Sequence, residues 1–195
     1  MSKNNQIIFK EGYFKIAIAL AIAIFLNLFI CDFLSYIAFL ITALIVYIYR
    51  DPNRHIYRNS KSILSPVDGK IEVIDYIDGK QKIYIKVSLC DSHKVISPVS
   101  GQLEIKECKH GLNLNPNSYK AKILNEQSII RIDDLEITFI SGKCNTQINF
   151  INNKIVEQGE ELGVFLDGVV ILTLKDRKKL KLQSGDKIKY GEEIS

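Results

Sequence analysis

The chain has 195 residues, 47% of them hydrophobic, and its 26 basic and 22 acidic side chains leave a formal net charge of +4. That length suits one globular domain with an appendage, and so small a charge excess, without a basic helix, zinc-ligand spacing or aromatic platform, gives no footing for a nucleic-acid partner. The four cysteines, Cys31, Cys90, Cys108 and Cys144, lack CxxC or other ligand spacing, which argues against a metal site and predicts reduced, buried thiols of an intracellular domain.

Hydrophobicity is concentrated at residues 16–49. Two apolar segments, 16–30 and 33–49, are separated by Cys31 and Asp32. A spanning helix takes about 20 residues and no fewer than ~17, so both are short, and the first contains Asn27. A cleaved signal peptide does not fit, because a second apolar segment follows where a small-residue cleavage site would stand. Lys3, Lys10 and Lys15 precede the region and Arg50, Arg54, Arg58 and Lys61 follow it. Basic flanks on both sides predict a transmembrane or re-entrant helical hairpin, with residues 1–15 and 50–195 on the cytoplasmic side. A soluble buried hairpin is disfavoured, since nothing later in the chain offers apolar surface to cover both helices. Pro52 ends the second helix.

From Ser62 onward the hydrophobic period falls to two. Residues 82–89 put Ile83, Ile85, Val87 and Leu89 on one face, and 102–106 and 135–139 alternate likewise. Asp78-Gly79 between 71–77 and 82–89, and Asp133-Asp134 between 128–132 and 135–140, mark hairpins. A single turn of helix is expected within 118–125. Residues 163–174 form the longest apolar run outside the N-terminal region and predict either one strand buried on both faces or two strands meeting at Asp167-Gly168, with Gly168 at a bend or close approach. The pattern is that of a mainly β domain: a sandwich or barrel of seven to nine short antiparallel strands on the N-terminal hairpin.

Two pentapeptides echo each other. Ser65-Pro66-Val67-Asp68-Gly69 and Ser97-Pro98-Val99-Ser100-Gly101 each enter a strand through a tight turn. Two Gly-punctuated units, 156–163 and 185–191, are also alike. Biotinyl and lipoyl carrier domains use similar turn-and-strand repeats, but no hairpin-tip lysine here stands between flanking Met, Asp or Ala residues.

Asp68 and His93 lie at strand ends near these turns. A carboxylate can fix the tautomer of an imidazole base, although an Asp in a turn also caps its own backbone and a loop His is often merely exposed. Asn125 and Glu126 follow a basic, polar stretch. The run 175–181, KDRKKLK, reads either as a solvated loop or as a contact with anionic lipid.

Tyr49-Arg50-Asp51-Pro52-Asn53-Arg54 after a hydrophobic hairpin, followed by the first pentapeptide, resembles the short, membrane-anchored phosphatidylserine decarboxylases of bacteria and archaea. Asp91-x-His93 with Pro98 and Gly101 is similar to that family's Asp-x-His block, Asn125-Glu126 to its Asn-Glu-Arg block, and Ile140-Ser141-Gly142 to its Ile-Ala-Gly block. Gly159, Gly163 and Gly168 fall at the spacing of its C-terminal processing motif. The resemblance runs in order through nearly the whole chain. It implies a domain that cuts itself at a Gly-Ser bond, with Asp68 and His93 as the processing pair and Asn125 and Glu126 near substrate. The new N-terminal Ser becomes a covalent pyruvoyl group, an electron sink for decarboxylation of a phosphatidylserine Schiff base.

The sequence departs from that pattern where the chemistry is made. Gly168 is followed by Val169, and none of the 11 glycines precedes Ser, Thr or Cys. The family's Arg after Asn-Glu is Gln127, and its later Arg pair falls at Thr146-Gln147, which removes cations suited to a phosphate or carboxylate. The expectation is a non-catalytic homologue on the cytoplasmic (inner) membrane of a bacterium. It would carry no cofactor and would bind membrane lipid, with anionic phospholipid foremost, or a lipid-synthesis protein. The alternative is an active decarboxylase working without the usual Gly-Ser site.

Overall fold

The computed structural model describes residues 8, 10–29, 32–52, 54–60, 62–116, 118–144 and 154–195. They fall into two units, Met1–Asn53 and Arg54–Ser195.

In the first unit, helices α1 (Lys10–Phe29) and α2 (Asp32–Ile48) pack on each other. Small side chains make the seam: Ala23, Ser35 and Thr42 are buried in it, and a β-carbon on Gly12 would lie 2.6 Å from Cβ of Tyr49. Polar groups are satisfied within the pair. Asn27 donates to Ser35 Oγ at 3.1 Å, Ser35 and Thr42 hydroxyls donate to the Asp32 and Ala38 carbonyls, and the Lys15 ammonium donates to the Tyr49 hydroxyl at 2.6 Å. Apolar side chains point outward instead: Phe14, Leu28, Phe33, Tyr36 and Leu40 are between 68% and 74% exposed.

The expected spanning hairpin needs correcting. Two helices form where the apolar segments predicted them, but among the described residues no helix is long and apolar enough to cross a membrane. The reason lies in the sequence. The 20 residues of α1 include Lys10, Glu11 and Lys15 in its opening turns, and α2 has only 17 residues.

The second unit is built on an eight-stranded antiparallel sheet in the order β10-β1-β2-β9-β6-β5-β4-β7, with a separate pair, β3-β8. Its strands are β1 (Gly69–Ile77), β2 (Lys80–Val87), β3 (Lys94–Ile96), β4 (Gly101–Lys109), β5 (Gln127–Ile132), β6 (Leu135–Ser141), β7 (Lys154–Val156), β8 (Glu161–Val164), β9 (Gly168–Leu174) and β10 (Lys187–Ile188). One short helix, α3 (Ala121–Leu124), stands in the β4–β5 connection. Both hairpin signals hold, with Asp78, Gly79 and Asp133 at positive φ. The apolar run at 163–174 resolves into the two-strand alternative, β8 and β9. Among the described residues ten strands form rather than seven to nine, because the closing Gly-punctuated units add the short β7 and β10.

Strand β9 is central. Val170, Leu172 and Leu174 enter a single core with Ile83, Ile85 and Val87 of β2 and Ile137 and Phe139 of β6. Each such side chain contributes ~1.5–3 kcal/mol by leaving water. Val156 of β7 and Ile188 of β10, from the two edges of the sheet, join the same core. The sheet therefore curls around one interior, but among the described residues its edge strands do not pair and no closed barrel forms. The cysteine expectation also fails in its burial. Cys90, Cys108 and Cys144 are outside any disulfide but exposed, because they occupy a turn after β2, an outward position of β4 and a turn after β6. Cys31 lies outside the described residues.

The strand order reads as a palindrome of roles, β10-β1-β2-β9 against β7-β4-β5-β6, and the pentapeptide echo is its local expression. Gly69 pairs with Ile188, as Gly101 pairs with Val156. Ser65 Oγ donates to the Val67 carbonyl at 2.7 Å and Ser97 Oγ to the Val99 carbonyl at 2.6 Å. The Ser65 main chain exchanges hydrogen bonds with Gly191 and Glu192, and that of Ser97 exchanges them with Gly159 and Glu160. In both Gly-Glu-Glu turns a carboxylate caps the turn's own backbone: Glu157 N–H donates to Glu160, and Lys189 N–H to Glu192, each at 2.9 Å. The two pentapeptides also bond to each other, Leu64 N–H to the Pro98 carbonyl and Ile96 N–H to that of Pro66. Ile56 packs against both glycines of the repeat; a β-carbon on Gly159 would meet its Cγ2 at 2.9 Å, and one on Gly191 its Cγ1 at 3.1 Å.

Gln158, buried within one of these turns, accepts from Asn59 N–H and donates to the Ser62 and Pro98 carbonyls. Gln158→Ala takes the amide donor from the carbonyl of buried Ser62, where an unmet group costs ~1–3 kcal/mol, and removes one of the two donors to the Pro98 carbonyl. A stability loss of about 2 kcal/mol or more is expected in urea unfolding, with the slope of the transition unchanged.

Candidate functional site

Several loops converge where β9 begins. Gly168 pairs with Val87 on one side and with Ser141 on the other. Its φ is +138°, and a β-carbon there would overlap the Ile140 carbonyl oxygen and lie 2.8 Å from Cζ of Phe165. Only glycine fits both the dihedral and the space. Val169, the next residue, faces away from the core, paired with Lys86 and Ile140, and is buried. Asp167 holds the turn before the strand: its carbonyl accepts Gly142 N–H at 2.9 Å, and its carboxylate accepts the N–H groups of Lys143 and Cys144.

Asp68 is buried in a ring of donors. Arg54 approaches as a fork, Nη1 to Oδ1 at 2.5 Å and Nη2 to Oδ2 at 2.7 Å. Ser92 N–H donates to Oδ2 at 3.3 Å and Tyr190 N–H to Oδ1 at 2.7 Å. Four donors fill the acceptor sites of a carboxylate. The Arg54 guanidinium lies 4.4 Å from the centre of the Tyr190 ring. Its pKa is raised. Burial is the largest influence and acts downward, but the hydrogen bonds and charge of Asp68 outweigh it. A cleft lined by Arg54, His55, Tyr57, Lys189, Tyr190 and Glu192 opens beside the pair.

The internal repeat supplies a comparison. The position matching Asp68 is Ser100, whose hydroxyl accepts Gln158 N–H at 2.9 Å just as Asp68 accepts Tyr190 N–H. That backbone bond is common to both halves. The carboxylate, the Arg54 fork and the bond to Ser92 belong to the first half alone.

The route from Asp68 to His93 runs through the main chain of Ser92. His93 is buried, and its carbonyl accepts Phe165 N–H at 2.8 Å. Phe165 in turn packs on Phe139 and on Gly168. Asp68, His93 and Gly168 thus share one continuous set of contacts. Asn125 joins it from the other side. Fully buried, it accepts Leu114 N–H and donates to the carbonyls of Leu114 and Ser141, the latter at 2.6 Å. Glu126 is half-buried, and its carbonyl accepts Ser141 N–H. Thr146-Gln147 lie outside the described residues. Sequence reasoning gave Arg54 only as a basic flank and as the last residue of the block that ends the hairpin, gave Asp167 only as a strand junction, and assigned no role to Ser92 or Tyr190. Among the described residues no group of three or more His, Cys, Asp or Glu side chains is placed to hold a metal ion.

The family model for phosphatidylserine decarboxylase matches residues 41–195. The chain is 27% identical to a phosphatidylserine decarboxylase proenzyme of Carboxydothermus hydrogenoformans, over 97% of this chain and 95% of that one. It is 28% identical to the proenzyme of Pelagibacter ubique over 83% of this chain and 82% of the relative. It is 32% identical to that of Amoebophilus asiaticus, over 80% of each. No solved structure matches it significantly.

Two substitutions separate the supports of this site. Arg54→Met leaves the buried Asp68 carboxylate with two backbone donors only, and a loss of about 2 kcal/mol or more is expected in chemical denaturation. Arg54→Lys recovers part of it, since an ammonium cannot reproduce the fork. Gly168→Ala forces a β-carbon into the Ile140 carbonyl at a dihedral closed to L-residues, and is expected to cost more than ~3 kcal/mol or to prevent folding.

Proposed function

The chain belongs to the phosphatidylserine decarboxylase family, and on that premise we propose that it acts in phospholipid synthesis as a membrane-attached homologue that does not process itself. The observation that carries this is Val169. A pyruvoyl group would have to be made from the residue after Gly168, and valine has no hydroxyl to attack the Gly168 carbonyl or to be converted. The residues present do not fit that group. The side chain of Val169 packs instead beside Ile140 on the outer face of the sheet. Gln127 at the place of the family's Arg weakens capture of an anionic head group in the same direction.

What remains is a scaffold suited to binding. Asp68, His93, Gly168 and Asn125 stand around the start of β9, with the polar groups of Asp68 and Asn125 filled by hydrogen bonds from and to their neighbours. Membrane attachment is supported by the helical pair, which turns its polar groups inward and apolar ones outward, the reverse of a water-soluble hairpin. The uncharged part of α1, residues 16–29, is ~21 Å long at ~1.5 Å per residue, short of the ~30 Å hydrocarbon core, which favours a re-entrant hairpin. The setting that follows is the cytoplasmic membrane of a bacterium, with the β domain on the cytoplasmic face. Its ligand is a membrane lipid or a lipid-synthesis protein.

Intact-mass spectrometry of the purified protein is the direct test. One species at the full sequence mass, 22.2 kDa, is expected. Quantitative cleavage anywhere between Asp167 and Val170, with a blocked N-terminus on the smaller fragment, would sink the proposal and establish the active enzyme. Val169→Ser then examines the surroundings: cleavage of that variant means Asp68 and His93 still work as a pair, and an intact variant means they do not.

A further inference from the structure

The β4–β5 connection, residues 110–126, reads in sequence as a basic, polar stretch with a helical turn, ending at Asn125 and Glu126. In the fold it stands at the Gly168 end of the central strand. Asn125 and Glu126 bond to both backbone groups of Ser141, the ladder partner of Gly168. The connection is folded: Leu112 N–H donates to the Leu124 carbonyl at 2.7 Å, Glu126 N–H to that of Leu112, and α3 fills the turn. Yet it presents Leu112, Tyr119, Ile123 and Leu124 to solvent, between 44% and 79% exposed. Around them stand Lys109, Lys120 and Lys122, all exposed, and no acidic residue occurs between Lys109 and Asn125. Lys109 Nζ donates to the Ile123 carbonyl at 2.5 Å, which fixes a cation beside the aliphatic tip.

The other basic stretch, 175–181, contrasts with it on each count. It follows Leu174, at the opposite end of β9, ~20 Å away for a strand of this length. Its first and last lysines are matched by acids, Lys175 by Asp134 and Lys181 by Glu193. Its aliphatic residue, Leu180, packs on the core, as does Leu182 just after it. Both stretches cannot meet one flat surface while the Gly168 end faces it.

We infer that residues 110–126 dock on the surface of an anionic lipid bilayer, with Ile123, Leu124, Leu112 and Tyr119 entering the headgroup boundary and the lysines meeting lipid phosphates. Aliphatic and aromatic side chains beside cations, with no carboxylate between Lys109 and Asn125, are what such a boundary accepts. Docking there turns the start of β9 toward the membrane and leaves 175–181 in the aqueous phase. The inference rests on the membrane reading above and adds which face of the β domain meets the lipid.

The chain contains no tryptophan, so single reporters can be placed in the full-length protein. Ile123→Trp, Tyr76→Trp at the far end of the sheet and Leu28→Trp in α1 are reconstituted with vesicles of brominated phosphatidylcholine, with and without phosphatidylglycerol. Docking predicts quenching at position 123 on anionic vesicles and none at position 76. Adding Lys120→Glu and Lys122→Glu abolishes the quenching at 123 and leaves that at 28 intact. Quenching at 28 without quenching at 123, or quenching at 76 in its place, overturns the docking face while the membrane reading stands. No quenching at any position removes both. Quenching at 123 alone supports docking and removes the hairpin as the anchor.

Discussion

Two short segments that cross by main-chain hydrogen bonds hold this fold together. Leu64 gives its N–H to Pro98 and Ile96 gives its N–H to Pro66, so each proline lies where only its carbonyl is needed. An open eight-stranded sheet has two edges to manage. Here each edge strand, β7 or β10, is carried back to the crossing by a Gly-Glu-Glu turn, and both edges feed one core. Closure by hydrogen bonding around a barrel becomes unnecessary. The curl is fixed instead at a few loop carbonyls and at the buried amide of Gln158.

The same crossing delivers the groups of the candidate site. Asp68 leaves one pentapeptide, and Ser92 and His93 lead into the other. The carboxylate, filled by Arg54 and two backbone N–H groups, fixes the chain immediately before His93. From His93 the contact passes to Phe165, and from there to the place at Gly168 where no side chain fits. A strand so tightly enclosed at its start has little freedom to shift by a residue. Its neighbours on both sides, Val87 and Ser141, are spoken for.

Much of this was legible in sequence because it is local. Alternation named most of the strands, Asp78-Gly79 and Asp133-Asp134 named the hairpins, and the repeated Ser-Pro-Val named two like entries into strands but not that they cross. Gly168 announced a close approach because a glycine amid Val, Ile and Leu sacrifices packing for a reason. The Arg54–Asp68 fork was not legible: 14 residues separate the partners, and nothing in either segment codes for the other. Nor was the burden on Asn125, since a polar residue in a polar stretch gives no sign that it will be buried as a strut between Leu114 and Ser141. The thiols misled for a related reason. Cysteine prefers the interior on average, but the positions of Cys90, Cys108 and Cys144 are set by turns and by outward register.

Ile56 carries a consequence for the repeat as a whole. Two equivalent glycine turns, one from each half, press on a single side chain, and they use different branches of it. A β-branched residue is the smallest wedge with two prongs; an unbranched one could seat against one turn only. The halves are duplicated, but this keystone exists once. Removing either turn leaves Ile56 packed on one side only, so the two copies of the turn share one side chain between them.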